Sequence, residues 1–337
     1  MSVGKSGNVK PVYLEPKRSI ENRVEDLLRR MTTEEKIGQM CQYSGFSDAY
    51  ESMLREGKVG SFLNITGAEN TNRVQRIALE HSRLGIPLIF GLDVIHGYST
   101  IFPIPLGLAS SWDPQIVERV ASAAAAEARS EGIHWTFAPM VDIARDPRWG
   151  RIAEGSGEDP CLGSAMARAA VGGFQGEDLA DASAVVACPK HYVAYGGAEG
   201  GRDYNTVDIS ARALREVYLP PFRAAIVDAG AGTVMSAFND LSGVPASANR
   251  HTLTDILRGE WRFRGFVVSD WNSVGELVNH GIAGDSVEAS REALIAGVDM
   301  DMCADAYRRG LGKLARGRRL PVRAIDEAVR RILRIKF

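Results

Sequence analysis

The chain has 337 residues, enough to bury a large core as one barrel of roughly 250 residues with extensions or as two ordinary domains. Its 40 basic and 42 acidic residues leave a formal charge of −2, which gives no electrostatic basis for binding nucleic acid or an anionic membrane. No run reaches the ~18 apolar residues of a membrane-spanning helix, so neither a nucleic-acid nor a membrane partner is expected, and a small neutral ligand fits better.

Met1 to Pro16 is polar and lacks the apolar core of a signal peptide. A cytoplasmic location is expected as the chain stands, and a periplasmic or secreted one if a signal has been removed. Ile20 to Leu28 carries apolar residues at helical spacing, and Thr32-Thr33-Glu34-Glu35 reads as a capping box that opens a second helix. Strand-like and helix-like runs then alternate. Gly60–Ile65 leads to a helix near Glu69–Leu84, Pro87–Leu92 to Gln115–Glu131, and Trp135–Val141 to Gly163–Gln175. Ala184–Cys188 leads to Ala211–Val227, Thr233–Ala237 to Leu253–Glu260, Phe266–Ser269 to Ser286–Ala296, and Val298–Met302 to Ile325–Lys336. Alternating β and α units imply a parallel sheet with helices on its faces. Seven or eight of them favour closure into a (β/α)8 TIM-like barrel over an open doubly wound sheet, and no Gly-x-Gly-x-x-Gly follows the first strand to support dinucleotide binding. Residues 1–26 are read as a leader and the start of the first helix, and 27–337 as the barrel.

Several apolar runs end in polar residues: Ile89-Phe90-Gly91-Leu92 in Asp93, Phe137–Val141 in Asp142, Val185–Pro189 in Lys190-His191, Val234-Met235-Ser236 in Phe238-Asn239, and Phe266–Ser269 in Asp270. Polar groups gathered at the C-terminal ends of parallel strands are the mark of a barrel's active-site face. Two long connections, from Asp142 to Pro160 and from Tyr195 to Asn205, follow such strands and belong to the same face. Lys190 and His191 are adjacent, and neighbours on a regular strand point to opposite sides. For both to reach one ligand, a non-proline cis peptide or a sharp bulge is expected between them. Cys41, Cys161, Cys188 and Cys303 are too dispersed for a zinc site and are expected to be buried thiols; no metal is expected.

Gly91-Leu92-Asp93-Val94-Ile95-His96-Gly97, Asp146-Pro147-Arg148-Trp149-Gly150-Arg151, Lys190-His191, Val234–Asn239 and Val268-Ser269-Asp270-Trp271, in that order, resemble the motifs of the N-terminal barrel of family 3 glycoside hydrolases of the β-glucosidase type. The resemblance covers about Leu27 to Phe337. It implies a retaining hydrolysis of terminal β-linked glucose in β-glucosides or β-gluco-oligosaccharides, without metal or organic cofactor. Asp270 would be the nucleophile that forms a covalent glycosyl-enzyme. Asp93 would accept two sugar hydroxyls, and Arg151, Lys190 and His191 would donate to their neighbours. Met235, Phe238 and Trp271 would shape the apolar face of the pocket, with Met235 equally at home in the core. Asp270 as a helix cap and Arg151 as a loop partner of Glu154 or Glu158 are the plainer alternatives. Arg145 and Arg148 read as structural, Trp112, Trp135 and Trp149 as packing residues, and Glu199–Asn205 as a rim from which Arg202 or Asp203 reaches substrate.

Retention needs a second carboxylic acid. The resemblance implies that it is a Glu from an α/β domain beyond the barrel, whereas this chain stops at Ile335-Lys336-Phe337, about where the last barrel helix should end. The loop Tyr192–Gly197 carries no further His for the acid/base dyad of other members. The acid/base is therefore expected to lie outside this chain, leaving a complementing domain or self-association to cover the exposed face. Two rivals stay open: a barrel that binds sugar without turnover, and a Schiff-base aldolase using Lys190.

Overall fold

The computed structural model describes residues 10–337; the first nine residues of the expected polar leader lie outside that range. Its centre is a closed ring of eight parallel staves. Strands β1 (Cys41–Ser44), β2 (Ser61–Leu63), β3 (Ile89–Leu92) and β4 (Trp135–Thr136) pair in sequence order. The fifth stave, residues 184–192, bridges β4 at Trp135–Val186 and the irregular extension of β4 at Met140–Lys190, and bridges the sixth at Tyr192–Ser236. That sixth stave, β5 (Thr233–Met235), is followed by a small antiparallel hairpin, β6 (Asp240–Leu241) and β7 (Val244–Pro245). Strand β8 (Phe266–Val268) pairs with β5, Val268 bridges Met300, and β9 (Asp301–Met302) returns to β1. The fold is a distorted (β/α)8 barrel.

The fifth stave is irregular for a chemical reason: Pro189 has no amide hydrogen to give to a ladder. Its register survives on alternate residues, with Val186, Cys188 and Lys190 donating to His134, Ala138 and Pro139. Gly265, at the entry to β8, lies so close to the preceding stave that a Cβ there would sit 1.9 Å from the Gly232 carbonyl oxygen, so only glycine permits that approach.

Helices cover the outside and start where the sequence signals them. Thr32 and Glu35 form the expected capping box on Thr33–Gln39. Asp113, Asp159 and Asp285 cap Pro114–Ser130, Pro160–Gln175 and Ser286–Ala296 with their carboxylates. In the helical run 211–228 the consecutive Pro220 and Pro221 remove two amide donors, and wider π turns flank them at Leu214–Tyr218 and Ala224–Asp228. Strand β1, which brings the seven expected staves to eight, was not anticipated, nor were the helices Asp48–Arg55, Pro105–Ala109 and Ala306–Arg316 or the β6–β7 hairpin.

Side chains fill the ring. Trp135 meets Phe137 and Phe266 edge-on, with centroids 4.8 and 5.1 Å away, and its indole N–H donates to Thr233 at 2.8 Å. The base is closed by two buried polar knots. Asp299 accepts from Arg258, Arg331 and the Val267 amide at 2.6–2.8 Å, and Lys336 donates to Gln39 Oε1 and the carbonyls of Gly60 and Pro87 at 2.6–2.8 Å. Chemistry is thereby confined to the opposite, C-terminal end of the staves.

Two expectations need correction. Trp112 is not a packing residue: the chain takes a positive φ there, just before the Asp113 cap, and leaves the indole 74 % exposed. Of the four thiols only Cys41 and Cys188 are buried; Cys303 is half-covered and Cys161 is exposed on the first turn of its helix.

Candidate active site

Each of the expected polar residues emerges at the C-terminal end of a stave or in the loop that follows it. Asp93 follows β3, Asp142 ends the irregular extension of β4, Lys190 and His191 lie on the fifth stave, and Asp270 follows β8. The peptide bond between Lys190 and His191 is cis, as expected, and a second non-proline cis bond joins Tyr192 and Val193. Lys190 and His191 both reach polar groups of the site. Lys190 Nζ donates to Asp93 Oδ1 at 2.6 Å, its side chain buried while that of Asp93 stays 49 % exposed. His191 Nδ1 lies 2.9 Å from Asp142 Oδ2, and its Nε2 lies 3.0 Å from Arg151 Nη2 and 3.5 Å from Asp270 Oδ2.

Arg151 makes the loop pairing weighed for it and also faces His191 in the site. Its guanidinium grips Glu154 through two bonds of 2.7 and 3.0 Å and still reaches His191, its remaining face lying over the Tyr195 ring. Burial opposes this charge, but the Glu154 pair more than compensates and holds its pKa above the usual value. Arg148 is an exposed partner of Asp146, as a structural residue would be, and Arg145 is exposed.

Asp270 is buried. Its Oδ1 accepts the Trp271 amide at 2.6 Å, and its Oδ2 has no hydrogen-bond partner among the described residues. Burial lifts its pKa to about 6, against the pull of Lys190, the Trp271 amide and Arg151 and with a push from Asp93. The carboxylate is thus mostly ionised at neutral pH without being quenched by a strong partner. Burial also pushes Asp142 up to about 7 and, with Arg151 and Lys190 beside it, drives His191 well below its ordinary value, so the imidazole is neutral.

The apolar candidates separate. Trp271 is 47 % exposed next to Asp270, and Phe238 packs 4.4 Å from the Tyr204 ring and 5.9 Å from Tyr195. Met235 is buried within β5 and is in place for the core role weighed for it. The segment Glu199–Asn205 folds over this side: Asp203 accepts the Trp149 indole N–H at 2.9 Å, and Arg202 is exposed. The sequence marked Asp142 by its place after a strand-like run and Glu154 as a partner of Arg151, but assigned neither a part in the site; Tyr195 and Tyr204 carried no signal beyond lying in the long loop. No group of side chains able to hold a metal ion occurs among the described residues, and no described helix is long and apolar enough to cross a membrane.

Residues 32–335 match the N-terminal domain of glycosyl hydrolase family 3. The chain belongs to that family. It is 44 % identical over 318 residues to a periplasmic β-glucosidase of Salmonella typhimurium, an alignment covering 93 % of this chain and 41 % of that protein. It is 33 % identical over 351 residues to a putative β-xylosidase of Formosa agariphila, covering 96 % and 46 %. A crystal structure of a β-glucosidase from Listeria innocua in complex with glucose superposes with a TM-score of 0.88 at 42 % identity, covering 94 % of this chain and 46 % of that one. The family 3 barrel described here therefore spans less than half the length of each of these three relatives.

Proposed function

We propose that this barrel carries the sugar-binding and nucleophilic half of a retaining β-glycosidase acting on terminal β-linked glucose. The observation that carries this is the state of Asp270: buried, ionised, steered by one backbone amide, and with Oδ2 free of any hydrogen bond. Oδ2 attacks the anomeric carbon as the glycosidic C–O bond breaks, and water later cleaves the ester to return the carboxylate. Asp93 and Lys190 take the sugar hydroxyls as an acceptor and a donor at the pocket mouth. Arg151 and His191 line the nucleophile's other side, and Trp271 with Phe238 offers an apolar face to the C–H side of the ring. Likeness to the Salmonella and Listeria β-glucosidases supports glucose over xylose.

The leaving group must take up a proton, and the nearby carboxylates are committed elsewhere. Asp93 pairs with Lys190, Glu154 with Arg151, and Asp142 is buried beneath His191. The proton donor on this reading comes from outside these side chains. That same observation favours a second reading, a barrel that holds sugar without turning it over. The Schiff-base alternative is disfavoured by the Lys190–Asp93 ion pair, since an ion-paired ammonium is not the free amine such chemistry needs.

The test is intact mass after incubation with a dinitrophenyl 2-deoxy-2-fluoro-β-glucoside, whose leaving group departs unprotonated. A covalent adduct mapped to Asp270, and absent from Asp270→Ala, is expected. Glucose binding by calorimetry with no adduct would establish the sugar-holding reading instead.

A further inference from the structure

Asp142 touches neither solvent nor the pocket, yet both of its ordered contacts go to one residue of the site. Its Oδ2 accepts the backbone amide of His191 at 2.8 Å and lies 2.9 Å from His191 Nδ1. At the other end of the ring, Nε2 lies 3.0 Å from Arg151 Nη2. A guanidinium only donates hydrogen bonds, so Nε2 must be the acceptor, and a neutral imidazole then carries its proton on Nδ1. The two ends agree, because Asp142 Oδ2, which already accepts the His191 amide, is the kind of partner that an Nδ1–H requires.

We infer that Asp142 is a positioning residue that locks His191 in the Nδ1–H tautomer, so that Nε2 anchors Arg151 and gives no proton to the attacking oxygen of Asp270. The inference rests on the proposed nucleophilic role of Asp270 for its catalytic consequence, but its structural content does not. Asp270 Oδ2 lies 3.5 Å from Nε2 and has no other polar partner among the described residues. With the proton on Nε2 instead, an N–H would face the Arg151 donor and turn toward Oδ2. The guanidinium would be displaced, and the nucleophile's free lone pair would be tied into a hydrogen bond. Asp142 thus acts on Asp270 through the ring, in the way that an outer partner sets which nitrogen of a ligand histidine is free. Removing such a partner costs about 10–100-fold in activity at metal sites, and a loss of that order is expected here.

The experiment labels the histidines with 15N and reads the ring nitrogens of His191, assigned by the signals lost in His191→Gln. Wild type should show a protonated Nδ1 and an unprotonated Nε2. A protonated Nε2, alone or with Nδ1, would overturn the inference whatever the activity. Asp142→Asn can present its amide oxygen where Oδ2 stands, so it should keep the tautomer and form the fluoroglycosyl adduct within a fewfold of the wild-type rate. Asp142→Ala should move the proton to Nε2 and slow adduct formation by about 10–100-fold. An Ala variant that keeps both tautomer and rate would refute the positioning role, and if it does not fold, the wild-type and Asn spectra decide. Absence of any adduct on wild type would sink the glycosidase reading alone, since the tautomer is read without substrate.

Discussion

Replacing Lys190 by Met should convert a pH-tolerant nucleophile into a pH-limited one. Lys190 is the leading influence that lowers the Asp270 pKa against its burial, and it also pairs with Asp93, whose charge pushes the other way. Lys190→Met deletes the cation and leaves the Asp93 carboxylate unneutralised, and both changes raise Asp270. An opposite charge at close range lowers a carboxyl pKa by roughly 1–3 units, so its loss is taken as ~1.5 units. From a starting value of about 6, Asp270 would then titrate near ~7.5. Wild type is about 90 % ionised at pH 7 and the variant about 25 %, a fourfold deficit from ionisation alone. The same arithmetic gives a deficit of about 30-fold at pH 5 and almost none at pH 9. The assay is the dinitrophenolate burst from the fluoroglucoside, followed from pH 5 to 9 for both proteins. Loss of a sugar contact would multiply the whole curve by one factor, whereas loss of the cation tilts it. A wild-type to variant ratio that stays flat across that range would refute the electrostatic role assigned to Lys190.

Asp93→Asn should act in the opposite sense on Asp270, moving the acid limb of the same burst to lower pH while weakening sugar binding; an acid limb that moves upward would contradict the arrangement. The folded Asp270 pKa lies above the ordinary carboxyl value, so the carboxyl favours folding below about pH 4, and that contribution fades as pH rises through about 6. Asp270→Asn should therefore be more stable than wild type at pH 7, by at most about 3 kcal/mol. The gain should vanish near pH 4 in urea titrations, and equal stabilities at both pH values would count against it. At the barrel base, Asp299→Ala strands the buried Arg258 guanidinium, whose pKa burial already lowers to about 10; a loss of about 3–5 kcal/mol is expected, and a change under 1 kcal/mol in chemical denaturation would show that the knot is dispensable. Trp271→Ala should raise KM for aryl glucosides severalfold with a smaller change in the burst rate, because the half-exposed indole beside Asp270 makes no hydrogen bond to that carboxylate's free oxygen. A burst rate that falls as far as the affinity would place it closer to the reaction than that.

What could be read from the chain divides along a physical line. Staves such as Phe266–Val268 and Ile89–Leu92 were legible because a strand buried on both faces is written as a short apolar run, and the polar residue that ends it marks the rim. The strand Cys41–Ser44 has no such run: Gln42 is buried and its amide nitrogen donates to Ser61, a pairing that exists only once the two staves are side by side. The helix Ala306–Arg316 does carry apolar residues at helical spacing, Tyr307, Leu311 and Leu314, but Gly310 and Gly312 lower its helix propensity. The site followed the same division. Asp93 and Lys190 stand 97 positions apart, and their meeting was anticipated only because all stave ends of a parallel barrel open on one rim. Which oxygen faces which nitrogen could not be anticipated in that way. Asp142 and His191 meet because the fourth and fifth staves are neighbours, and Arg151 reaches the other side of the same ring from a loop. Topology brings the groups to one face; the arrangement of donors and acceptors around His191 comes from three residues on separate segments, and no one of those segments shows it alone.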